Sequence, residues 1–163
     1  MTRRVRERPA PTVWNATSYH DTGGPLLLDT HVWIWRVADD DARVAPAATG
    51  LLDRVGADGS LIVSDISYWE VAVKSAKGTL RLAMDWALWL QRAEQAPGIR
   101  FHPLTREVLL QSTRLAGTPH NDPADRILMA TAQLLCVPLV TADRQIIAYA
   151  RKHAGLQVID VRR

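Results

Sequence analysis

At 163 residues the chain is long enough for one domain that buries roughly 70% of its unfolded surface, and its 47% hydrophobic and 23% charged residues are the balance of a globular protein. The net charge of +3 lies entirely in residues 1–8, MTRRVRER, with four arginines against one glutamate; the other residues sum to zero, so bulk charge argues neither for nor against a polyanionic partner. No apolar run approaches the ~18 residues of a membrane helix, and the single cysteine excludes an internal disulfide and a Cys-based zinc site.

In chain order, residues 1–24 combine arginines, two prolines and a closing TGG without hydrophobic periodicity, which predicts a flexible extension. The stretch lacks the apolar h-region of a secretory signal. From Pro25 onward, short apolar runs read as buried strands: LLLD (26–29), LIVSD (61–65), IRFHP (99–103), PLVTAD (138–143) and LQVID (156–160). Between them, helical periodicity covers 31–38, 43–56, 66–77, 84–95, 105–116, 123–136 and 144–153. Alternation of this kind predicts an α/β fold of three α/β/α layers, an open, mainly parallel sheet of about five strands joined by right-handed crossovers. Cys136 stands in LLCVPLV, which predicts a buried thiol and a reducing, cytoplasmic setting.

Sites in such folds form where strands end and helices begin, at the crevice where strand order reverses. The acids gather on that edge. Asp29 ends the first strand, Asp65 and Glu70 follow the second, Asp122 and Asp125 open the helix before the fourth, and Asp143 ends the fourth. Each has a local explanation: Ser67 to Glu70 is a capping-box pattern, Asp122 and Asp143 suit N-caps, and a helix's first turn favours Asp125. Together, however, converging carboxylates repel unless a cation offsets them, and the nearby lysines and arginines are too few to pair with all. Oxygen ligands suit Mg2+ or Mn2+. The implied chemistry is metal-assisted attack of water on a phosphodiester.

Four blocks, LLLDTHVWIW, SDISYWEVAVKSAKGTLRL, HNDPADRILMATAQ and LVTADRQI, in this order and spacing, resemble the PIN-domain ribonucleases, specifically the VapC-like toxins of type II toxin–antitoxin pairs. The resemblance covers residues 25–160. It implies a PIN-like nuclease domain over 25–163 and a Mg2+-dependent endoribonuclease, with Mn2+ as a plausible substitute. Asp29, Glu70, Asp125 and Asp143 are then both catalytic and metal-holding, and the implied partners are an RNA substrate, a cognate antitoxin from an adjacent gene and a second copy of the chain. Two departures are Ala124, where the family often has Phe, and the 24-residue head.

Around this set, Asp122 is expected mainly to cap its helix, and Asp65 to serve as a turn or cap residue. Lys74 lies four residues after Glu70 and is placed to steer it or a phosphate. Thr141, two before Asp143, is placed to bond a carboxylate or water. Arg126 and Arg144 are candidate RNA phosphate contacts; Arg81 reads as solvated surface. His31 and His120 lack zinc spacing and read as structural. Trp33, Trp35, Trp69, Trp86 and Trp89 read as core or partner-interface anchors. A haloacid-dehalogenase phosphatase would need an acid where His31 stands, and a receiver domain a phosphoacceptor after IRFHP. The rivals left are a non-catalytic PIN-like binding module and a structure-specific DNA nuclease.

Overall fold

The computed structural model describes residues 12–19, 24–117 and 119–162. Its elements in chain order are β1 (Val13–Asn15), β2 (Leu26–Leu28), α1 (Thr30–Val37), a 3-10 turn (Asp41–Arg43), α2 (Pro46–Ala57), β3 (Leu61–Ser64), α3 (Asp65–Ala76), α4 (Trp86–Glu94), β4 (Ile99–His102), α5 (Arg106–Ser112), α6 (Pro123–Leu135), β5 (Leu139–Thr141), α7 (Arg144–Lys152) and β6 (Val158–Asp160). Five helices start where short polar side chains accept first-turn N–H bonds: Ser64 for α3, Asp85 for α4, Thr105 for α5, Asp122 for α6 and Asp143 for α7.

The strands form one six-stranded sheet in the order β1-β6-β5-β2-β3-β4, and all its pairings are parallel. Side chains alternate across it as the pleat requires. Leu26, Leu28, Leu61 and Val63 face a core shared with Trp33, Leu51, Val55 and Leu90, whereas Leu27, Ile62 and Leu139 face Leu128, Met129, Ile146 and Ile147. Two cores, one on each face, make the three layers. From β2 the chain builds outward through β3 and β4, then returns to the other side of β2 through β5 and β6, so order reverses between β2 and β5.

Three expectations are corrected. The sheet has six strands because Val13–Asn15, within the stretch read as an extension, pairs with β6, and Thr12 Oγ1 donates to the Ala150 carbonyl at 2.8 Å. Three residues are too few to show a period, and pairing rather than pattern holds them. Residues 1–8 and their charge lie outside the described residues. β4 is an edge strand with Arg100 exposed, not a buried one. Cys136 is exposed, because α6 ends there in a left-handed turn (φ 53°) that swings the side chain off the apolar face.

Candidate metal centre

At the switch point β2 ends in Asp29, whose N–H donates to Val140 of the neighbouring β5 at 3.0 Å. Asp29 is buried, and Thr141, at the end of β5, donates its hydroxyl to Asp29 Oδ2 at 2.5 Å while accepting the Asp143 N–H at 2.9 Å. One threonine thus ties the first acid to the fourth. Asp143 caps α7, its Oδ1 accepting from Gln145 N (2.6 Å) and Ile146 N (3.0 Å), which leaves Oδ2 free of helix duty.

Glu70 enters from the middle of α3 and is also buried. Its Oε2 accepts from Thr30 Oγ1 at 2.6 Å, and its Oε1 is ion-paired with Lys74 one turn on. Ser67 is not the start of a capping box: Ser64 caps α3, and Ser67 is buried with its Oγ 2.9 Å from Thr30 Oγ1. Asp65 is exposed in the first turn. Asp122 caps α6, accepting from Ala124 N at 2.8 Å, and Asp125 follows in the same first turn.

His120, read as structural, lies against two of the acids. Its Nδ1 lies 3.0 Å from Asp125 Oδ2 and its Nε2 3.9 Å from Asp143 Oδ2. The sequence signal for this placement is its position just ahead of the Asp-Pro helix start. Arg126 is half-buried and Arg144 exposed, one position after their acids.

The charges are poorly offset. Among the described residues, none of Asp29, Asp125 and Asp143 is ion-paired with a lysine or arginine. Burial, then Asp29, Asp122, Glu70 and Asp143, push the Asp125 carboxyl up to about 8. Burial raises Asp29 too, against the Thr141 hydrogen bond and His31, with Glu70 and Asp143 adding to the rise. On Lys74, burial is outweighed by the Glu70 hydrogen bond and by the charges of Glu70, Asp122 and Asp125, so the ammonium is held charged. His120 Nδ1 accepts the Asp122 N–H at 3.0 Å, which commits its one lone pair, so the 3.0 Å approach of Asp125 Oδ2 to that nitrogen is a close contact.

Among the described residues, His120, Asp125 and Asp143 each offer a ligand atom within 4.8 Å of the others, and of the four expected metal-holding acids Asp29 and Glu70 lie outside this group. Oxygen donors among which burial and mutual repulsion raise the Asp125 carboxyl fit a hard divalent cation, since the ion supplies the charge the side chains lack. A separate cavity of about 850 Å³, lined by His31, Trp35, Arg81, Met84, Trp89 and Arg92, contains none of the four acids.

Comparison with known proteins agrees with this geometry. The PIN domain profile matches residues 26–152. Ribonuclease VapC22 of Mycobacterium tuberculosis is 34% identical over 121 residues, 74% of this chain and 88% of that protein. Among solved structures, DNA-bound VapBC from Salmonella typhimurium superposes with a TM-score of 0.60 at 14% identity, covering 84% of this chain and 98% of that one. VapBC2 from Rickettsia felis, bound to a promoter DNA fragment, gives 0.59 at 10% identity (83% and 98%). FitAcB from Neisseria gonorrhoeae gives 0.53 at 22% identity (83% and 96%), and at these identities the likeness is one of fold. With acids at the switch point of a six-stranded parallel sheet and a profile match spanning the two core layers, the chain belongs to the PIN-domain family.

Proposed function

We propose that the chain is a Mg2+-dependent endoribonuclease and the toxin of a toxin–antitoxin pair. The observation that carries the reading is that Asp125 is pushed up to about 8 by burial and by the charges of Asp29, Asp122, Glu70 and Asp143, in a chain 34% identical to a ribonuclease. Asp29, Glu70, Asp125 and Asp143 would hold the ion. A Mg2+ or Mn2+ bound there supplies charge neutralisation, polarises a phosphoryl oxygen and lowers the pKa of water.

The chain's own groups prepare that chemistry. Thr141 orients Asp29, and Thr30 with Lys74 fixes both oxygens of Glu70, so neither buried carboxylate is free to rotate. Asp143 commits one oxygen to α7 and offers the other to the crevice. Arg126 and Arg144 sit beside two of the acids, where they contact flanking phosphates. For the antitoxin, Trp69, Trp86 and Leu88 are exposed on α3 and α4 and provide apolar anchors.

The test is cleavage of total RNA, and of single- and double-stranded DNA, with Mg2+, Mn2+ or EDTA. RNA should be cut only with metal, and DNA should not be cut. Asp29→Asn, Glu70→Gln, Asp125→Asn and Asp143→Asn should each lower the rate by about a hundredfold or more, because each removes charge but little volume. Expression alone should halt growth, and co-expression of the adjacent small gene should relieve it. A chain that binds RNA without cutting it under any metal would be a binding module.

A further inference from the structure

His120 lies in the connection between α5 and α6, yet its imidazole reaches two helices. Nδ1 stands 3.0 Å from Asp125 Oδ2 on α6 and accepts the Asp122 N–H at 3.0 Å. Nε2 points the other way, 3.9 Å from Asp143 Oδ2 at the start of α7, and it is buried with no hydrogen-bond partner. A buried ring nitrogen without a partner is costly, and the nearest acid offers the one oxygen that α7 does not use. The gap closes with a shift of about one ångström to ordinary hydrogen-bond length.

We propose that His120 is a positioning residue of the centre: Nδ1 holds the Asp122 N–H at the start of α6 while Nε2–H faces Asp143 Oδ2 at the start of α7, and the ring thereby sets the separation at which Asp125 and Asp143 receive a cation. The inference rests on the metal reading above and deepens it. Asp125 and Asp143 belong to different helices, and the ring lies within 3.0 Å of one and 3.9 Å of the other. Direct ligation by His120 is disfavoured on two counts. Nδ1 is occupied by a backbone N–H, and a buried Nε2 has no room beside it for an ion that keeps its waters. Hydrogen-bonded partners of ligating carboxylates typically change metal affinity by roughly 10–100-fold when removed.

Three substitutions separate the roles of the ring. His120→Asn keeps an acceptor near Nδ1 for the Asp122 N–H but cannot reach Asp143. His120→Gln extends an N–H to the position of Nε2, and His120→Ala removes both. Mn2+ affinity is read from the free-ion signal in electron paramagnetic resonance, with thermal melts in EDTA as the folding control. His120→Ala, His120→Asn and His120→Gln, each of which lacks at least one end of the span, should weaken Mn2+ binding by roughly 10–100-fold, and the wild-type Mn2+ spectrum should show no directly bound nitrogen. If His120→Ala fails to fold, the Asn and Gln variants decide. Wild-type affinity in His120→Asn would reduce the residue to a helix-start acceptor and overturn the proposal. Nitrogen coupling from a bound imidazole would overturn it in favour of a ligand. A wild-type chain with no affinity for Mn2+ would remove the metal reading as well. One that binds Mn2+ through this bridge but cuts no RNA would sink the nuclease reading alone.

Discussion

Asp125 is where the energetics of the site are most exposed to measurement. Its carboxyl ionises near 3.8 in the unfolded chain and near 8 in the folded, metal-free one, chiefly through burial and then through the neighbouring acids. Between those values the folded chain holds a proton that the unfolded chain has released, so stability falls as pH rises through the window. Asp29 is shifted in the same direction and adds to the slope. In EDTA the melting temperature should therefore decline from pH 5 to pH 8, Asp125→Asn should flatten that decline, and Mg2+ should restore the loss at pH 8 by binding the ionised form. A flat profile in the wild type would show that the acids do not repel in the folded state. The positions of Asp29, Asp125 and Asp143 were legible residue by residue, because each ends a strand or opens a helix, whereas Glu70 stands in the middle of α3. The partners of these acids were not legible. That Thr30 holds Glu70 across 40 positions, or that Thr141 holds Asp29 across 112, depends on chain paths that no local pattern records.

The helices were legible to within a few residues, since start chemistry at Asp85, Thr105, Asp122 and Asp143 is local and the apolar faces repeat at helical spacing. The strands were less so. β1 is three residues long, and β4 looked buried although it lies at an edge. The entry to β4 also holds a constraint that sequence does not show. Gly98 has φ +81°, and a Cβ there would stand 2.2 Å from the Gly56 carbonyl oxygen at the end of α2. Gly98→Ala must therefore move backbone as well as strain its own torsions, and should cost about 2–3 kcal/mol in urea unfolding. Gly78, also at positive φ but with open space around it, is the control and should lose less.

At the scale of the whole molecule, the order β1-β6-β5-β2-β3-β4 decides which acids meet. It also changes what the N-terminal stretch does. Deleting residues 1–24 removes β1 and the Thr12 bonds to α7 and β6, and should lower stability by about 1–3 kcal/mol at roughly 1 kcal/mol per lost hydrogen bond. Deleting residues 1–8 removes the whole net charge but none of those contacts, and should instead flatten the salt dependence of RNA binding. Chemical denaturation and a salt series on the two truncations would separate these effects. Equal stability of both would mean that β1 contributes nothing to the sheet. By itself the sequence determined the α/β class and most helix starts, because periodicity and capping are written within a few neighbouring residues, whereas the choice of Asp29, Glu70, Asp125 and Asp143 among the acids came from the family resemblance. Only the tertiary structure decided that β5 lies beside β2, that β1 closes the far edge, and that His120 stands between Asp125 and Asp143. Those facts follow from parallel pairing between segments far apart in the chain, and a run of apolar residues does not encode which other run it will lie against.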